Sequence, residues 1–86
     1  MISVDILSPE RSRHLDVDAI FLPGALGEFE VLVGHAPIIS LLTAGKIRWR
    51  SSDAGGRAAE DSLAISGGVV RLKDNRMQIC IEQADK

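Results

Sequence analysis

Apolar side chains return at every second position through most of the chain. Ile2, Val4 and Ile6 are followed by Leu15 and Val17, then by Phe29, Val31 and Val33, and by Ile47 and Trp49. Leu63 and Ile65, Val70 and Leu72, and Met77, Ile79 and Ile81 continue the pattern. Successive side chains of a strand point to opposite faces, so this rhythm predicts short strands with one apolar and one polar face. Helical spacing is not sustained anywhere. Turn formers divide the runs at Ser8-Pro9, Pro23-Gly24, Gly34 to Pro37, Gly45, Gly55-Gly56, Gly67-Gly68 and Asp74-Asn75. Punctuation this regular predicts an all-β domain of two antiparallel sheets packed over a shared core. Ser51 to Asp61 is the one long connection expected, a hairpin tip between the strands around Lys46 and Leu63.

Eighty-six residues, 45% of them hydrophobic, suffice for a single domain spanning 1–86. A chain of this size buries only about 60–65% of its unfolded surface, so modest stability is expected. Ten basic and twelve acidic side chains give a net charge of −2 and are interspersed. No basic stripe follows from that mixture, and aromatics make up only 3%, so nucleic acid is not an expected partner. The apolar run Ile38 to Leu42 is interrupted by Ser40 and falls far below the ~20 residues that cross a hydrocarbon core. The N-terminal segment carries Asp5 and lacks a basic region, so it does not read as a signal peptide, and a cytoplasmic protein is expected. Cys80, the single cysteine, lies in the alternating run Met77 to Ile81 and is expected to be a structural thiol.

Four motifs invite a chemical reading. A phosphate loop needs Gly-x-x-x-x-Gly-Lys-Ser/Thr leading into a helix; here Ser40 replaces the first glycine, Ile47 replaces the hydroxyl, and a strand follows Gly45-Lys46. His35 has no nucleophile elbow or reactive cysteine to serve as general base, which favours a structural or partner-binding histidine. Asp16 and Asp18 share one strand face about 6.5 Å apart, the beginning of a divalent-ion site, but no further ligand stands nearby in sequence and a solvated face is favoured. Ser66-Gly67-Gly68 lies between strands, where paired glycines indicate a bulge or a close backbone approach. His14 suggests no role. The residues predict a binding module with no catalytic residue, no metal and no cofactor.

The order of the motifs goes further. "LPGALGEFEVLVGHAPIISLLTAGKIR" and "LAISGGVVRLKDNRMQICIEQAD" closely resemble the N-terminal β-sandwich domain of the epsilon subunit of F-type ATP synthases, over Ile2 to Asp85. The resemblance implies a flattened, ten-stranded antiparallel β-sandwich in the central rotor stalk of a bacterial enzyme. It implies docking on the gamma subunit and the c-ring, with the catalytic head engaged only indirectly and the membrane only peripherally, on its cytoplasmic face. Such a subunit couples ion transport to ATP synthesis without performing chemistry. Glu28 and His35 match positions that contact the c-ring, and Gly27, Gly34, Ala36 and Pro37 form the turns facing gamma and the c-ring. Glu30 stands where the family pattern has a glycine, and Val33 where it has a proline. The family's C-terminal helical hairpin is expected to be absent, and with it a brake on ATP hydrolysis and a nucleotide site. The alternative reading is a free-standing β-sandwich module that binds a ligand, with a divalent ion at Asp16 and Asp18.

Overall fold

The computed structural model describes residues 1–52 and 55–83, and every regular element among them is a strand. These are β1 (Ile2–Leu7), β2 (Ser12–Val17), β3 (Ala19–Gly24), β4 (Gly27–Leu32), β5 (Ile38–Leu42), β6 (Gly45–Ser52), β7 (Ala58–Lys73) and β8 (Arg76–Gln83). The ladder runs β2-β1-β8-β7-β5-β3-β4, with β6 pairing both β3 and β7. The hydrogen-bonded network folds over on itself. One layer contains β2, β1, β8, the second half of β7 and β5; the other contains β4, β3, β6 and the first half of β7.

Inward residues of both layers meet in one core. Ile2, Val4 and Ile6 come from β1, Ile20 and Leu22 from β3, Ile47 and Trp49 from β6, and Met77, Ile79 and Ile81 from β8. Each large aliphatic side chain withdrawn from water here contributes about 1.5–3 kcal/mol before conformational entropy is counted. The rhythm of two in the sequence is therefore the imprint of this interior.

The sixteen-residue β7 joins the layers. In its first half Leu63 and Ile65 point inward; in its second half Val70 and Leu72 do, so the inward positions change from odd to even. The register slips between Ile65 and Gly67, the bulge expected at the paired glycines. One extra residue turns the strand's faces over, as its passage from one layer to the other requires. Gly68 also permits a close approach, since a Cβ there would lie 2.4 Å from the Cys80 carbonyl oxygen.

Several expectations are revised. There are eight strands among the described residues rather than ten; one of the two is accounted for by the β7 ladder, which continues through its bulge instead of breaking. The sandwich is not purely antiparallel: β1 and β8 pair in parallel. Most of the supposed loop 51–61 is strand, since Ser51 pairs with Ala59 and Ser52 with Ala58; residues 53 and 54 lie outside the described residues. Backbone pairing carries this stretch, and its small residues gave no apolar signal. Pro23-Gly24 ends β3 instead of forming the turn, which falls at Ala25-Leu26. Cys80 is exposed, because Met77, Ile79 and Ile81 take the inner face and the intervening position must point outward. Glu30 occupies regular strand opposite Phe21, where no left-handed backbone is required.

Candidate functional site

Strand β4 separates the two turns singled out from sequence. Gly27-Glu28 lies at its start, beside the Ala25-Leu26 turn, and Gly34 to Pro37 lies beyond its end. Glu28 and His35 are thus not brought together. The four residue steps from Glu28 to Leu32 alone cover about 13 Å of strand.

At the first turn, Glu28 Oε1 accepts a hydrogen bond from Arg48 Nη2 at 2.9 Å, with both side chains half exposed. The Arg48 guanidinium also lies 4.8 Å above the Phe21 ring, so three strands hold it in place. Leu26 beside them is fully exposed. No sequence rhythm singles out Leu26, because one apolar residue in a turn lies outside any strand period.

At the second turn, Gly34 adopts φ +84°, which glycine reaches without steric cost. Its N–H donates to Asn75 Oδ1 at 2.7 Å, and the His35 N–H donates to the Leu32 carbonyl at 3.1 Å. Asn75 belongs to the tight β7–β8 turn, where Asp74 and Asn75 both have positive φ, 52° and 61°. That geometry belongs to a two-residue hairpin, and Asp and Asn tolerate it better than other side-chain-bearing residues. The Asn75 carbonyl accepts from Ser3 N at 2.9 Å, so this tip ties the Gly34 turn to β1. Sequence marked Asp74-Asn75 as a turn but could not reveal a tether 41 residues away.

His35 Nδ1 is 2.7 Å from the Ala36 carbonyl oxygen. A carbonyl only accepts, so Nδ1 carries the proton and Nε2 of the neutral ring remains an acceptor. Ala36 and Pro37 are exposed. This arrangement can present a fixed polar contact; it has no nucleophile for the imidazole to activate.

His14, to which the sequence assigned nothing, bridges two carboxylates. Its Nδ1 is 2.8 Å from Asp5 Oδ1 and its Nε2 is 3.3 Å from Asp16 Oδ1. The hydrogen bond that the ring donates to Asp5 is the main cause of a raised imidazole pKa, with Asp16 adding to it. Asp18 instead accepts from Ser52 Oγ at 2.6 Å, so the two aspartates of the divalent-ion reading have different partners. Among the described residues no group of three His, Cys, Asp or Glu side chains is placed to hold a metal.

Fold and turns together define a rigid β-sandwich that presents exposed tips around a solid core, a protein of contacts. The whole chain, residues 1–86, matches the family model described as ATP synthase, Delta/Epsilon chain, beta-sandwich domain, and the protein belongs to that family. The ATP synthase epsilon chain of Chlorobaculum tepidum is 32% identical over 82 residues, covering 94% of this chain and 89% of the relative. The chloroplastic epsilon chain of Chlamydomonas reinhardtii is 39% identical over 85 residues, covering 96% of this chain and 60% of the relative. Among solved structures, a chain of the Euglena gracilis mitochondrial ATP synthase, described as OSCP/F1/c-ring, superposes with a TM-score of 0.82 at 25% identity, covering 98% of this chain and 52% of that one. A chain from the central stalk and c-ring of the Tetrahymena thermophila enzyme shares the fold, with a TM-score of 0.75 at 16% identity over 94% of this chain and 63% of that one. The role that accompanies this membership is that of an epsilon-type stalk subunit in a membrane-associated complex.

Proposed function

We propose that the chain is a non-catalytic rotor subunit that holds gamma against the c-ring of an F-type ATP synthase and carries torque between them. It rests peripherally on the cytoplasmic face of the membrane, through its partners alone. The observation that carries this reading is the family match along the whole chain. The two exposed turns, held by a rigid sandwich, supply the contacts.

The c-ring contact is divided between the two turns. Leu26 and Glu28 form one part, where a basic loop residue of the ring competes with Arg48 for the Glu28 carboxylate. His35, with Gly34, Ala36 and Pro37, forms the other, its outward Nε2 accepting from the ring. Gly27 has φ +131° and lets the first turn close. Charge-assisted contacts of this kind contribute about 1–3 kcal/mol each, so Glu28→Ala or His35→Ala alone lowers coupling only modestly. Deleting Gly27 to Pro37 is a poor test, because it removes β4 and the buried Val31.

The informative variant is Leu26→Glu combined with His35→Ala in the assembled synthase. Ion pumping by inverted vesicles is measured beside ATP hydrolysis. Pumping per ATP should fall while hydrolysis persists; unchanged pumping per ATP would overturn the placement of these turns on the ring.

A further inference from the structure

The Gly34 to Pro37 turn has little packing to hold its shape. Gly34, Ala36 and Pro37 are exposed, and a Cβ added at Gly34 would meet no atom within 4 Å. Hydrogen bonds then carry its conformation. Two of them are local: the His35 N–H reaches the Leu32 carbonyl at 3.1 Å, and the His35 ring closes on the Ala36 carbonyl at 2.7 Å. From outside the turn, Asn75 Oδ1 accepts from the Gly34 N–H at 2.7 Å.

Asn75 is itself anchored. Its carbonyl accepts from Ser3 N at 2.9 Å, and its φ of 61° is set by the two-residue turn between the paired Lys73 and Arg76. Asn75 is partly withdrawn from water, whereas Asp74 and Arg76 on either side of it are exposed. The strands that carry this tip bury Leu72 and Met77 in the core. Two demands therefore meet at one position, a left-handed backbone and a side-chain oxygen that accepts. Glycine meets only the first; Asn and Asp meet both.

We propose that Asn75 is a positioning residue for the ring-facing turn: it ties the Gly34 amide to the sandwich and so aims His35 Nε2, acting through Gly34 rather than on the ring. The inference rests on the rotor reading above and adds a residue 41 positions away from the turn it serves. A turn free to swivel loses conformational entropy each time it is ordered against a partner, and a turn held in advance does not. The path from His35 through Gly34 and Asn75 leads to β1, β7 and β8, whose inner faces form the core, so load on the turn passes into the rigid part of the molecule.

The test compares two variants. Asn75→Gly keeps the positive φ and the carbonyl bonded to Ser3 but removes the side-chain acceptor; Asn75→Asp keeps all three. In the full chain, amide exchange at Gly34 should quicken about fivefold to tenfold in Asn75→Gly and stay slow in Asn75→Asp. Thermal unfolding of both variants checks the fold. In the assembled synthase, pumping per ATP by inverted vesicles should fall with Asn75→Gly and return with Asn75→Asp, while ATP hydrolysis persists. Residues that act as a unit give non-additive losses. Asn75→Gly combined with His35→Ala should therefore lose little more than the larger single change, whereas its combination with Leu26→Glu, in the other turn, should lose the sum. Unchanged Gly34 exchange or unchanged pumping in Asn75→Gly overturns the inference and leaves the rotor reading intact. So does a failure of Asn75→Asp to restore both, a fold lost with the acceptor, or additive losses with His35→Ala. If Leu26→Glu combined with His35→Ala leaves pumping per ATP unchanged, the placement of both turns on the ring fails and this inference fails with it.

Discussion

The two halves of β7 use charge in opposite ways. From Ala58 to Ile65 the strand pairs with β6, where Arg50 faces Glu60 and Arg48 faces Ser62. Arginines around this half have local partners: Arg48 binds Glu28, and Arg13 lies 5.1 Å over Trp49 and 3.8 Å from Asp61. Arg13 opposes the inward Ile6 on the edge strand β2, so its cation closes the rim of the core. Beyond the bulge, Lys73 faces Arg76 and Arg71 stands between Ile39 and Gln78. Opposite charges across a ladder stabilise by about 0.2–1 kcal/mol, whereas like charges cost stability. The first half uses its charges to hold the fold, and the second leaves two cations directly opposed.

The glycines between the halves offer the severest way to break this contrast. A Gly68→Val side chain would start 2.4 Å from the Cys80 oxygen and 3.1 Å from Ile81 Cα, both backbone atoms that cannot rotate away. We expect a loss of about 3 kcal/mol in urea unfolding, or failure to fold. Gly67→Ala meets only the Leu42 oxygen at 3.6 Å, an ordinary contact, and should shift stability by less than about 1 kcal/mol. Equal costs at the two positions would show that Gly68 is not the point of closest approach.

A smaller effect sharpens the comparison by removing the like-charge pair. Lys73→Gln relieves the repulsion from Arg76 and should stabilise the isolated chain by about 0.3 kcal/mol. Urea midpoints of wild type and variant give the sign. A destabilised variant would mean that Lys73 has a structural role.

The smallest effect concerns His14, which bridges Asp5 and Asp16. Its folded-state pKa is raised above 6.5, chiefly by the hydrogen bond with Asp5. Its contribution to stability is therefore fully present below the unfolded pKa and is lost as pH rises through the folded one. Wild type should exceed His14→Gln in urea midpoint at about pH 5.5 and lose that advantage by about pH 9. NMR titration of the ring should give a midpoint above 6.5, and Asp5→Asn should lower it. A midpoint indifferent to Asp5→Asn would remove the bridge.

Legibility followed sequence distance. Alternation located β1, β6 and β8, and the paired glycines marked the bulge, because neighbouring positions suffice for both signals. Strand β3 was not legible: Ala19, Ile20 and Leu22 are all buried, so "AIFLPG" shows no alternation although it pairs with three other strands. Val33 continued the rhythm of β4 yet lies past its end and is half exposed. At the turns, Gly34 and His35 were visible as motif residues, but their separation from Glu28 followed only once β4 was laid out as a strand.

By itself the sequence determined the all-β class, the inward face of most strands, the glycine-dependent turns and the family, since each is written in local order and spacing. Tertiary structure alone decided that Asn75 holds Gly34, that Arg13 lies over Trp49 beside Asp61, and that His14 bridges Asp5 and Asp16. Those pairings depend on which strands become neighbours. Strand order arises from closing one core around a strand that turns its faces over midway, and no short window of sequence contains that information.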